Sequence, residues 1–230
     1  MPIKCGIYHF TDKSEKRPKV CSDQINELKK IATSLGYTDF EIFCDKSLLR
    51  CEHPEFDRFL SSSDQFDALI TKDFYHISKN TMKCMSIMKE LYNKGIKIYT
   101  QRNGAFTYSE EEPFNKTLRV ATYACRFGEP NEIKQILKVQ NDILSLFIKK
   151  KTNWTIDKQY SDESQHQKDG EQQELINLIK NKENYDLIVV HNLNDLHWRT
   201  ANFCKIREQL QLDIYSLQEG LLKYNKGENV

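Results

Sequence analysis

The chain has 230 residues, 39% of them apolar and 29% charged, with eight Gly and five Pro, a globular composition that excludes disordered and collagen-like classes and leaves room for two domains. Its 34 basic and 33 acidic side chains leave a net charge of +1, so strong intrinsic nucleic-acid affinity is not expected, and no apolar run approaches the ~18 residues of a membrane span. Seven cysteines without a CxxC pair, behind an N-terminus (MPIKCGIYHF) that lacks a secretory signal, predict reduced, buried thiols with neither a disulfide framework nor a zinc ribbon.

In chain order, IKCGIYHF (3–10) reads as a strand. Ser22 can cap a helix with Ile25, Leu28, Ile31, Ala32 and Leu35 on one face, stopped by Gly36. FEIFC (40–44) is the next strand, Pro54 starts a short helix through PEFDRFL, and 67–71 is a buried strand. Asn80 caps a helix bearing Cys84, Met85, Met88, Leu91 and Tyr92, which ends at Gly95 before the strand IKIYT. Residues 105–116 contain an acidic run and a proline without periodicity, and read as a linker between domains 1–104 and 117–230.

The second half repeats the first. LRVATYAC (118–125) echoes IKCGIYHF, with Tyr123 for Tyr8, and YDLIVVHNLNDL (185–196) echoes FDALITKDFYHI (66–77), with Asp186 for Asp67. The offsets are 123−8 = 115 and 186−67 = 119. A longer first helix follows, from about Asn131 to Lys150, and DIYSL is the last strand. Alternating strands and helices predict an α/β fold: two three-layer αβα domains, each with a mostly parallel central sheet.

This order of motifs resembles the catalytic domain of the serine recombinases, the resolvase/invertase family, in two tandem degenerate copies. The positions that match are Tyr8, Gln24, Asp45, Pro54, Phe56 and Asp67 in the first copy, and Tyr123, Gln140, Asp162 and Asp186 in the second. The resemblance implies a serine hydroxyl that attacks a DNA phosphodiester and arginines that hold the phosphate. Here Asp12 and Phe127 take the nucleophile's place, Phe10 and Cys125 that of the arginine two residues earlier, and His53 and Asp169 that of the arginine before the proline segment. The segment that carries a further arginine reads Phe74-Tyr75-His76-Ile77 and Leu193-Asn194-Asp195-Leu196, and the arginine after it is Lys79 or Trp198. No guanidinium is expected at these positions, and Asp12, Asp169 and Asp195 would turn negative charge toward a phosphate. A one-residue slip would put Thr11 at the nucleophile's place, with Ser14 nearby.

The expectation is therefore a catalytically inactive, recombinase-like protein that acts through a protein partner, for which an active recombinase is one candidate. A DNA-binding accessory factor and a weakly active recombinase using Thr11 or Ser14 are the alternatives. No cofactor and no metal are expected, since His9, His53, His76, His191 and His197 lack the i, i+4 spacing of a helical zinc pair. Trp154 reads as core, Trp198 as a contact residue, and Lys149–Lys151 as a solvated helix end. The linked folds suggest a monomer in which the two halves form an intramolecular pseudo-dimer, without a membrane role. The resemblance implies a cytoplasmic, bacterial setting on a mobile element.

Overall fold

The computed structural model describes residues 3–11, 18–46, 53–109, 117–164 and 172–224. The chain divides into two compact units between Phe106 and Thr107.

The first unit runs β1 (Lys4–Thr11), α1 (Pro18–Ser34), β2 (Asp39–Lys46), α2 (Pro54–Ser61), β3 (Ala68–Thr71), α3 (Phe74–Ile77), α4 (Thr81–Asn93), β4 (Lys97–Thr100) and β5 (Gly104–Ala105). Its sheet has the order β2-β1-β3-β4-β5, parallel except for the short antiparallel edge β5. Side chains alternate across β1: Cys5 and Ile7 join Leu28, Ala32, Tyr37 and Ile70 in a core under α1. All four residues of β3 are buried, as a central strand covered on both faces requires. On the other face, the Phe59 ring lies 5.3 Å from both Phe43 and Phe66.

Asn80 caps α4 by accepting from Lys83 N at 2.9 Å, and Gly36 ends α1 at φ 87°, both as the sequence predicts. The start of α1 differs. The helix begins at Pro18, and Ser22 lies exposed within it. Proline suits a first turn because it lacks only an N–H that would have no intrahelical partner.

The second unit runs β6 (Tyr108–Ser109), β7 (Leu118–Phe127), α5 (Pro130–Lys149), β8 (Trp154–Ser164), α6 (Gln173–Lys180), β9 (Leu187–Val190), a 3-10 turn (Leu193–Asp195), α7 (Thr200–Leu210), β10 (Asp213–Ser216) and β11 (Gly220–Leu222). Its sheet order, β6-β11-β10-β9-β7-β8, repeats that of the first sheet and adds β6 at the edge. The β8-β7-β9-β10 pairings are parallel, and β11 and β6 are antiparallel. Leu118, Val120, Leu144, Ile148, Trp154 and Leu187 build the core under α5, so Trp154 is a core residue as expected.

The segment expected to be a linker is partly structured: β5 completes the first sheet and β6 the second. Gly220 opens β11 at φ 93°, and a Cβ there would stand 2.7 Å from the Tyr108 hydroxyl oxygen, so glycine is required where these two strands meet.

Candidate functional site

In parallel α/β sheets the carboxyl ends of the strands and the loops that follow them gather side chains from separate elements. In the first unit these ends bring Tyr8, Phe10, Asp45, His53, Tyr75, His76 and Lys79 together. Asp45, near the end of β2, accepts from Glu55 N and Phe56 N at 3.0 Å each, capping α2, whose own preceding residue makes no side-chain cap. The Tyr8 hydroxyl donates to Asp45 Oδ2 at 3.2 Å and lies 3.1 Å from His53 Nδ1. With the tyrosine proton directed to the carboxylate, the imidazole supplies the second N–H, which fixes its tautomer. Burial lowers the His53 pKa and keeps the ring neutral, and burial followed by the Asp45 charge raises that of Tyr8. Phe10 stands 5.0 Å from the His53 ring and 6.2 Å from that of His76, with the Lys79 ammonium 5.7 Å from the Phe10 and Tyr75 ring centres. Thr11, half-buried, has its hydroxyl 3.6 Å from Cys21 Sγ. Gln24 is half-buried on α1. Asp12 and Ser14 lie outside the described residues.

The second unit repeats the Tyr–Asp arrangement. The Tyr123 hydroxyl donates to Asp162 Oδ2 at 2.9 Å, and Asp162 accepts from Glu174 N and Leu175 N at 2.9 Å each, capping α6. Gln172 Nε2 donates to the Tyr123 oxygen at 3.1 Å and to Leu196 O at 3.3 Å, and lies 3.6 Å from Cys125 Sγ. Burial raises Tyr123 and pushes the Cys125 thiol up to about 11. The residue at the place of His53 is therefore Gln172. Asp169, expected there, lies outside the described residues. The offset carries the signal: 172−53 is 119, the same as 186−67.

A second departure concerns charge. Arg126, one residue beyond Cys125, directs Nη1 to Asp195 Oδ1 at 2.6 Å and to Cys125 O at 2.9 Å. Gln140 Nε2 donates to Asp195 Oδ2 at 2.6 Å, and the carboxylate closes the turn by accepting from Asn192 N at 3.2 Å. Asp195 is 2% exposed, and burial raises its pKa against the opposing pull of Arg126. The expectation that Asp195 turns free negative charge outward is thus corrected: its charge is buried and paired, because the turn after β9 needs an acceptor for its backbone. Nearby, Glu219 accepts from Ser216 Oγ and from Leu193 N, and burial raises its pKa. Sequence reading missed both Arg126 and Glu219.

The remaining expected residues serve elsewhere. Asp67 accepts from Lys4 N at 2.8 Å and Asp186 from Arg119 N at 2.9 Å, so both tie strand starts together at the opposite end of the sheets. Phe127 and Asn194 are half-buried, and Trp198 stacks on His197 at 6.4 Å with the Arg199 guanidinium 4.7 Å from its ring. Among the described residues no three His, Cys, Asp or Glu side chains gather as metal ligands would, and no helix is long and apolar enough to cross a membrane.

A family model described as "Resolvase, N terminal domain" matches residues 13–129, which is 117 of 230 residues. The match ends just beyond β7. No curated protein matches the sequence. Among solved structures, the N-terminal catalytic domain of TP901-1 integrase is 19% identical at a TM-score of 0.35, over 42% of this chain and 75% of that one. A resolvase family site-specific recombinase from Streptococcus pneumoniae is 11% identical at 0.35, over 64% and 94%. A Caulobacter myo-inositol binding protein is 11% identical at 0.30, over 94% and 75%. By the family match over more than half its length, the chain belongs to the resolvase N-terminal domain family.

Proposed function

We propose that this protein is a catalytically inactive relative of the serine recombinases, built of two resolvase-like folds in tandem, that acts by binding a protein partner and modulates an active recombinase. The observation that carries the reading is the neutral N–H donor beside each Tyr–Asp pair, His53 in one unit and Gln172 in the other. Phosphoryl transfer needs cations aimed at the phosphate, and these donors are instead turned inward onto a tyrosine oxygen. Arg126 supports the same reading, since one of its nitrogens is already engaged by Asp195. The repeated strand order supports the tandem arrangement.

The test combines two measurements on the full chain. Fluorescence anisotropy with labelled duplex and single-stranded DNA, at low and physiological salt, should show no tight binding with a steep salt slope. Incubation with nicked duplex should leave no covalent protein–DNA adduct. An adduct lost in Thr11→Ala or Ser14→Ala would overturn the inactive reading, and tight salt-dependent binding without an adduct would favour an accessory DNA-binding role.

A further inference from the structure

Among the described residues, four of the seven exposed large hydrophobic side chains lie on α5: Ile136, Val139, Ile143 and Leu146, exposed by 41–59%. Their spacing of three, four and three residues puts them in one stripe along the helix, the 3.5-residue repeat of a two-helix seam. The stripe is separate from the face that packs on the unit's own sheet, which carries Leu137, Leu144 and Ile148.

The fold does not require this stripe, as the first helix of the first unit demonstrates. Leu28 and Ala32 are buried as Leu144 and Ile148 are, at a common offset of 116. The same offset sets Val139, Ile143 and Leu146 against Asp23, Glu27 and Lys30, all exposed. At these three positions one helix is charged and the other apolar.

The stripe also names its occupant. Continued by one step of the repeat at each end, it reaches the exposed Glu132 and Lys150. In an antiparallel pair of α5 helices centred between Val139 and Ile143, Ile136 meets the partner's Leu146 and Val139 meets the partner's Ile143. Glu132 then meets the partner's Lys150, and the same pair recurs at the other end. A parallel pair would instead oppose Glu132 to the partner's Glu132 and Lys150 to the partner's Lys150. We propose that α5 is a homodimer seam, in which two copies of this chain pair antiparallel through the apolar stripe with Glu132 opposite the partner's Lys150. A cavity of about 400 Å³, lined by Ile136, Val139 and Ile143 together with Arg126, Gln135, Gln140 and His191, runs beside the stripe.

Sedimentation equilibrium of the full chain across the micromolar range, in low-salt buffer, tests this. The expected result is a monomer–dimer equilibrium. The triple variant Val139→Asp, Ile143→Glu, Leu146→Lys copies the charged face of α1, so it should keep the wild-type circular dichroism and a cooperative melt and be monomeric. Glu132→Lys and Lys150→Glu should each weaken the dimer roughly tenfold, and the double swap should restore it. A monomer at every concentration would overturn the proposal. So would a dimer that survives the triple variant, or a double swap no tighter than the single ones.

Discussion

Arg126 Nη1 lies 2.6 Å from Asp195 Oδ1, so the cation near the end of β7 and the carboxylate in the turn after β9 neutralise one another. Asp195 is buried whereas the Arg126 side chain is 30% exposed, which makes the pair asymmetric. Arg126→Met should therefore lower stability by about 2 kcal/mol, below the full cost of a wholly buried broken pair, because the stranded carboxylate takes up a proton or admits water. Chemical denaturation of the variant against wild type measures this.

The same carboxylate sets a pH dependence. Its native pKa is raised above the ordinary 3.8, so the folded state binds the proton more tightly than the unfolded one. The stabilisation is fully present below 3.8 and is lost as pH rises through the raised native value. Asp195→Asn removes this titration, and the wild-type-minus-variant stability difference should fall as pH rises through that window. A flat difference would count against it.

His53 and Gln172 do the same work with different chemistry: each presents N–H to a tyrosine oxygen. His53→Gln should cost no more than about 0.5 kcal/mol, whereas His53→Leu, which strips the donor from a part-buried hydroxyl, should cost about 1–2 kcal/mol. Because burial lowers the His53 pKa, its contribution is whole above 6.5 and is lost as pH falls through the native value. His53→Gln should therefore be less acid-sensitive than wild type just below pH 6.5, as thermal melts over that range would reveal.

Asp45 and Asp162 each satisfy two backbone N–H groups at a helix start and one tyrosine hydroxyl. Asp45→Ala or Asp162→Ala should cost about 2–3 kcal/mol, more than an ordinary cap, since the hydroxyl also loses its acceptor. Melting curves of the two variants should move together, and a loss in only one would show that the two pairs are not equivalent.

Strand and helix order was legible because the apolar residues of β1, β3, β7 and β9, and of α1, α4 and α5, follow the periods of their elements. Tyr8, Asp45, Tyr123 and Asp162 stood out in the sequence as positions of the resemblance, but their pairing by hydrogen bonds did not. Gln172 was hidden because it lies ten residues after Asp162 (172−162) where His53 lies eight after Asp45 (53−45), so a gapless count from the shared aspartate stops two residues short of it. Arg126 was hidden for another reason: only the position of Asp195, 69 residues away, shows that a guanidinium one place from Cys125 turns inward. Strands of two or three residues, such as β5, β6 and β11, are too short to carry a period at all.

The pairing of Tyr108 and Ser109 with Leu222 and Leu221 gives the second sheet its outer border from chain that precedes its first strand. A fragment beginning at residue 117 would carry every helix of that unit and still leave the Gly220–Leu222 strand with a bare hydrogen-bonding edge, open to strands of other molecules. A fragment beginning at Thr107 keeps its own guard strand. Those ten residues decide whether the hydrogen-bonding edge of β11 is covered.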